Sequence, residues 1–335
     1  MRVAMIGAGS WGTAAAGLAA ARADAVRLWA HSAQTVRGID RDGVNPRYLT
    51  DYKLPDNVAA TDDLSVALDG ADLAIFAVPS THLRRVAHDA APYIDSDIPV
   101  LCLTKGIEPE SGLLMTEVIA EEIEHPERIA ALSGPNHAEE ICKGSLSAAV
   151  IAAEDGRIAE RFKSLLIAPA FRVYVSHDVV GVEVCGAMKN VMAIICGIAA
   201  GSGSGDNTLA LIMTRGLAEI SRLVHARGGD PITCMGLAGM GDLVATCTSE
   251  HSRNRMFGVA FAHGTTLDEY QARRHMVVEG AAAAVSVSEL ARSLDVDVPL
   301  TFALERVLWH GSSIEEVLGD LADRFPTSEF YGIDD

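Results

Sequence analysis

Arg2-Val3-Ala4-Met5-Ile6-Gly7-Ala8-Gly9-Ser10-Trp11-Gly12-Thr13-Ala14-Ala15-Ala16 decides the fold. A run of strand length enters a glycine turn, and the turn enters an alanine-rich stretch of helical character. In that context each glycine has a job. Gly7 makes the tight turn, Gly9 lets the backbone approach a pyrophosphate, and Gly12 lets helix and strand pack closely, while the helix N-terminus faces the phosphate charge. A glycine-rich turn can be only a turn, but its place between strand and helix favours dinucleotide binding.

Working outward, short apolar runs recur at Ala25 to Trp29, Leu73 to Val78, Val100 to Leu103, Ile129 to Leu132, Ala148 to Ala152 and Arg172 to Val175. Helix-like stretches such as Thr13 to Ala23 and Thr81 to Ala91 lie between the early ones. Strands alternating with helices imply parallel crossover units with both sheet faces covered. Beyond about residue 178 the period becomes helical, at Thr208 to Val224, Thr266 to Arg274, Ala281 to Ser293, Leu300 to Leu308 and Ser313 to Arg324. Ser313 and Glu316 fit a capping box, and Arg215 and Glu219 fall one helical turn apart. The expected fold is α/β: a doubly wound, Rossmann-type dinucleotide-binding domain over residues 1–178, then an all-α domain over 179–335 that carries substrate binding and catalysis.

At the end of the second strand an NAD-specific site usually carries a carboxylate for the ribose diol. Here stand Ala30-His31-Ser32. No carboxylate repels a 2′-phosphate, and His31, Ser32 or Arg37 could contact one, so NADP is permitted beside NAD. His31 as a plain loop residue is the alternative.

The chain has 335 residues, 45 acidic against 27 basic side chains, and a net charge of -18. That charge argues against a nucleic-acid surface and against an anionic membrane, so an anionic ligand must be caught by a local basic cluster. Six cysteines without a Cys-x-x-Cys pairing read as reduced core residues of a cytoplasmic protein, with no disulfide and no metal. The first residues are too short for a signal-peptide core. The longest apolar run, Val182 to Ala200, contains Glu183, Lys189 and Asn190 and ends in Gly201-Ser202-Gly203-Ser204-Gly205, which predicts a buried helix and not a membrane span.

Lys189 in that run needs a reason, because an unpaired buried ammonium costs several kcal/mol. It finds a counter-ion, turns neutral or lines a cleft, and a lysine snorkelling to water is the bland alternative. Lys105, in Thr104-Lys105-Gly106, follows a strand at the edge where doubly wound sheets bind ligands, as does Ser133-Gly134-Pro135-Asn136-His137-Ala138. Gly241-Asp242 and Ser252-Arg253-Asn254 bring a carboxylate and a compact set of phosphate donors.

With Thr214-Arg215-Gly216-Leu217-Ala218-Glu219, Thr246-Cys247-Thr248 and Val277-Val278-Glu279-Gly280, these motifs make the chain similar to the bacterial NAD(P)-dependent glycerol-3-phosphate dehydrogenases along essentially its whole length. The resemblance implies reversible reduction of dihydroxyacetone phosphate to sn-glycerol 3-phosphate, supplying glycerophospholipid synthesis. It implies Lys189 as proton donor and acceptor, with Lys105 and Asp242 holding and polarising the substrate. Ser252, Arg253 and Asn254 would bind the phosphate, and Gly134 and Asn136 would lie near the substrate. Ser10, Trp11, His31, Lys105, Ala138, Arg253, Val277 and Glu279 would join Gly7, Gly9 and Gly12 in holding NAD or NADP. A homodimer is compatible with this reading. Asn136-His137, where the family usually has Ser or Thr followed by an aromatic or similar residue, and Leu209, where Lys or Arg is common, depart from the pattern.

Two other readings compete. One is a related two-domain dehydrogenase acting on a 3-hydroxy acid or a 6-phosphogluconate-like substrate. The other is a dinucleotide-sensing module without chemistry, against which Lys189 and Asp242 argue, since binding a cofactor alone needs neither.

Overall fold

The computed structural model of the protein describes residues 1–274, 277–324, 328–329 and 331–333. Among these the chain divides into two compact units, one of residues 1–105 and 114–179, the other of residues 106–113 and 180–335. The short segment 106–113, which the sequence places in the first domain, goes with the second unit. There a Cβ on Gly112 would lie 3.4 Å from Leu290 Cδ1.

The first unit carries eight strands: β1 (Arg2–Ile6), β2 (Ala25–Trp29), β3 (Val58–Thr61), β4 (Leu73–Phe76), β5 (Val100–Cys102), β6 (Ile129–Ser133), β7 (Ser147–Ala152) and β8 (Phe171–Ser176). They form one sheet in the order β3-β2-β1-β4-β5-β6-β7-β8. Its helices are α1 (Ser10–Ala20), α2 (Ala33–Asp42), α3 (Leu64–Leu68), α4 (Ser80–Ala90), α5 (Met115–Glu122), α6 (Ala138–Cys142) and α7 (Gly156–Leu166). β1, β4, β5 and β6 are buried along nearly their whole length, as a sheet covered on both faces requires. The register pairs Ile6 with both Trp29 and Phe76, so the carboxyl ends of these strands share one edge.

β3 escapes the sequence reading because Val58-Ala59-Ala60-Thr61 is short and half-exposed at the sheet edge. β7 departs from the expected parallel pattern, pairing antiparallel with β6. The connection, residues 134–146, carries only the five-residue α6 and brings the chain back beside β6 in the opposite direction.

The second unit is helical among its described residues: α8 (Val179–Gly201), α9 (Asp206–Ala226), α10 (Asp242–Thr248), α11 (Arg253–Ala262), α12 (Leu267–Arg274), α13 (Glu279–Ser293), α14 (Pro299–Trp309) and α15 (Ile314–Ala322). α8 is long and apolar enough to cross a membrane, but 83% of its most apolar window is buried within the fold. Its neighbours touch it backbone to backbone. A Cβ on Gly258 of α11 would stand 2.2 Å from the Ile194 carbonyl oxygen, and one on Gly280 of α13 would stand 2.4 Å from that of Asn190. Ser313 caps α15 by accepting the Glu316 N–H at 3.1 Å. Glu219 does not pair with Arg215; its carboxylate accepts the Leu300 and Thr301 N–H groups at the start of α14, while Arg215 donates to the Glu329 carbonyl.

Candidate active site

In the first unit the β1–α1 turn shows why its glycines differ. Gly7 has φ +121° and would bring a Cβ to 2.4 Å from the Ala77 carbonyl oxygen, and a Cβ on Gly12 would stand 1.9 Å from the Gly7 carbonyl oxygen. Both are demanded by the fold. Gly9 is not: its φ of -73° suits any residue, and a Cβ there would meet no atom within 4 Å. The bare backbone at Gly9 therefore faces open space above the start of an eleven-residue helix, where an anion is favoured.

Two buried donors along the same sheet edge await an acceptor. Trp11, whose ring lies 6.1 Å from Phe171, has an indole Nε1 without a partner, and so does the Asn136 Nδ2. A buried donor left alone costs about 1–3 kcal/mol, which a ligand oxygen would recover. These features fit a dinucleotide and its substrate.

After β5, Lys105 points its Nζ at the Asn136 Oδ1 (3.3 Å) and the Gly134 carbonyl (3.4 Å). Asn136, the departure from the usual Ser or Thr, thus uses its oxygen to seat Lys105 and keeps its amide hydrogens inward. Ala138 is buried at the start of α6. His31 is exposed after β2, its ring edge-on to Trp29 at 6.5 Å. Ser32 precedes α2 without a side-chain capping bond, which leaves its hydroxyl to other uses.

In the second unit Lys189 is 8% exposed and Asp242 1% exposed. The Lys189 Nζ is bonded to Asp242 Oδ1. α8 supplies the lysine near its middle and α10 the aspartate at its first residue, just after a π-helical turn, Leu237–Gly241. Such single π turns often mark functional positions. The Thr246 hydroxyl, one turn on, lies 2.6 Å from the Asp242 carbonyl oxygen and 3.2 Å from Oδ1. Cys247, buried beside Cys196, has its thiol pushed well up by that contact and by burial, so it stays protonated.

Ser252 caps α11, its hydroxyl accepting the Arg255 N–H at 3.3 Å. Arg253, the first residue of α11, has a half-exposed side chain whose Nη2 is 3.8 Å from Glu279 Oε1. Asn254 donates to Asn190 Oδ1 and accepts the Gly280 N–H, both at 2.9 Å. It is buried where α8, α11 and α13 meet, and both ends of its amide hold that junction. Asn190 continues the chain to Glu279 Oε2 at 3.5 Å. Val277 is exposed just before α13. Neither Asn190 nor Thr246 had a site role in the sequence reading. The one signal was that Asn190 follows Lys189 and that Thr246 lies one helical turn from Asp242.

Residues 2–159 match the family model described as the NAD-dependent glycerol-3-phosphate dehydrogenase N-terminus, and residues 178–319 match that of the C-terminus. The chain is 45% identical to a glycerol-3-phosphate dehydrogenase (NAD(P)+) of Corynebacterium diphtheriae, over 98% of this chain and 100% of the relative. It is 46% identical to one from Nocardia farcinica, over 96% and 98%. Among solved structures, the glycerol-3-phosphate dehydrogenase of Coxiella burnetii is similar with a TM-score of 0.91 at 37% identity, covering 96% of this chain and 99% of that one. These findings bear out the resemblance, the two-part fold and the NAD(P)-dependent activity, and they favour that reading over a 3-hydroxy acid dehydrogenase.

Proposed function

Since the chain belongs to the NAD-dependent glycerol-3-phosphate dehydrogenase family, we propose that it interconverts dihydroxyacetone phosphate and sn-glycerol 3-phosphate with Lys189 moving the proton. The observation that carries this is the sealed pair of Lys189 and Asp242 inside an apolar helix bundle, which a purely structural core would not need.

Bound NAD(P) supplies or accepts the hydride. The residues that would hold it are Gly7, Gly9, Ser10, Trp11, Gly12, His31, Lys105 and Ala138 of the first unit, with Arg253, Val277 and Glu279 of the second. The Arg253 guanidinium and the first N–H groups of α11 would hold the substrate phosphate, with Ser252 and Asn254 fixing that helix start. Lys105, seated by Gly134 and Asn136, adds a cation for the substrate oxygens.

During reduction negative charge grows on the carbonyl oxygen. Lys189 as an ammonium stabilises that charge and donates its proton. In the reverse direction neutral Lys189 takes the hydroxyl proton. Asp242 keeps the ammonium in place, and Thr246 keeps Asp242 in place.

The lipid-precursor role and a cytoplasmic location follow as part of the same proposal, supported by six cysteines that stay outside any disulfide. So does a homodimer, which the exposed Leu211, Ile232 and Met235 on the second unit would suit. Initial rates of dihydroxyacetone phosphate reduction with NADH and with NADPH test the activity. Failure to consume either cofactor would reject it.

A further inference from the structure

Between α2 and β3 the chain folds into a closed loop against α1. Val44 and Lys53 close it as an antiparallel bridge, and the Leu54 N–H donates to the Gly43 carbonyl at 2.8 Å. Tyr52 is one inward anchor, its hydroxyl set against the bare face of α1 where a Cβ on Gly17 would come within 2.1 Å. Asn45 is the other, and it is 0% exposed.

Every hydrogen-bonding function of the Asn45 side chain is used. Its Nδ2 donates to the Ala8 carbonyl at 2.9 Å and to the Thr13 Oγ1 at 2.8 Å. Its Oδ1 accepts the N–H groups of Arg47 at 3.0 Å and Tyr48 at 3.2 Å. One amide thereby ties the loop to both ends of the glycine turn, since Ala8 precedes Gly9 and Thr13 lies in the first turns of α1. The loop does not need that particular link to close, because the bridge and Tyr52 already close it.

The consequence lies in the Ala8–Gly9 peptide. A trans peptide directs its C=O and N–H to opposite sides. Holding the Ala8 carbonyl inward on Asn45 turns the Gly9 N–H outward, toward the open space over the bare Gly9 backbone. Without the clamp, this peptide joins Ala8 to a glycine, and Gly9 tolerates the change in φ by which a rotation would present a carbonyl oxygen to that space instead. A carbonyl there would repel a phosphate.

We propose that Asn45 is a positioning residue for the cofactor: by clamping the Ala8 carbonyl it presets the Gly9 N–H as a donor to the diphosphate of the dinucleotide. It touches neither the reacting atoms nor the proton path. The inference rests on the dinucleotide lying over Gly7–Gly12, as proposed above.

The test is fluorescence titration of the full-length protein with NADH and NADPH, combined with steady-state kinetics. Asn45→Ala should raise both dissociation constants about tenfold and raise the KM for the cofactor in step. Its kcat at saturating cofactor and the KM for dihydroxyacetone phosphate should stay within about twofold. Asn45→Asp has the same size and keeps the Arg47 and Tyr48 bonds but cannot donate to Ala8 when ionised, so it should show the same split and carries the test if the alanine variant does not fold. A Cβ at Gly9 touches nothing in the protein, so Gly9→Ala should keep the unliganded melting temperature and lose cofactor affinity. Normal cofactor binding by Gly9→Ala would overturn the placement of the dinucleotide, and the role of Asn45 with it. Loss of affinity in Gly9→Ala but unchanged affinity in folded Asn45 variants would overturn the role of Asn45 alone. A fall in kcat with unchanged cofactor affinity would overturn it too.

Discussion

The ammonium of Lys189 on α8 is bound by Asp242, the first residue of α10, and both side chains are sealed within the second unit. A pair so buried is worth little to stability on balance, because the cost of desolvating two ions offsets their attraction. In the proposed mechanism its use is to keep a proton-bearing amine in one place. Replacing Lys189 by Ala should therefore lower kcat by about 10²- to 10⁴-fold, the usual range for a general acid, while cofactor affinity changes little. Near-normal turnover in a folded Lys189→Ala protein would exclude the role.

Arg253 stands apart from that pair. Half-exposed and 3.8 Å from Glu279, its guanidinium is free to fork onto a phosphate that lies away from the reacting carbonyl. Arg253→Ala should raise the KM for dihydroxyacetone phosphate by at least about tenfold, as loss of one charge-assisted contact of 1.5–3 kcal/mol implies, with a smaller effect on kcat. An unchanged substrate KM in steady-state assays would contradict the assignment.

α8 and α11 cross so closely that a Cβ at Gly258 would stand 2.2 Å from the Ile194 carbonyl oxygen. No rotamer relieves a clash between a Cβ and a main-chain oxygen, so the helices must part. Gly258→Ala should cost about 1–3 kcal/mol or more, visible as a lower urea midpoint. Wild-type stability would show that the crossing is looser than described.

What the sequence disclosed and what it withheld divide along physical lines. Strands β1, β2 and β4 were legible because a sheet buried on both faces writes continuous apolar runs, and the β1–α1 turn was legible because Gly7 and Gly12 admit no other residue. β3, at the edge, has no such run, and the reversal at β7 leaves no mark on the apolar pattern, which is the same for either strand direction. Lys189 stood out as a charge in apolar company, and Asp242 as a carboxylate ahead of a compact set of phosphate donors. The bonds of Asn254 to Asn190 and Gly280 were not legible, because a sequence shows which groups can bond but not which partners the fold brings to them. Asn45 left no trace, since a loop asparagine has no periodicity and its partners lie 32 and 37 residues away.

Glu219 gives the second unit a pH signature. Burial pushes its carboxyl up from an ordinary 4.5 to about 7, against the hydrogen bonds from Leu300 and Thr301 and the charge of Arg222, which pull it down. Between those two values the folded unit holds a proton that the unfolded chain has already released. The contribution of protonated Glu219 is therefore complete below about pH 4.5, declines as pH rises through about 7, and is gone above it. The span corresponds to about 3 kcal/mol. Glu219→Gln keeps an oxygen for the start of α14 but has no proton to lose. Urea unfolding of both proteins from pH 5 to pH 8 should show the wild type losing stability relative to the variant by roughly that amount. A stability difference independent of pH would mean that Glu219 titrates in its ordinary range despite its burial.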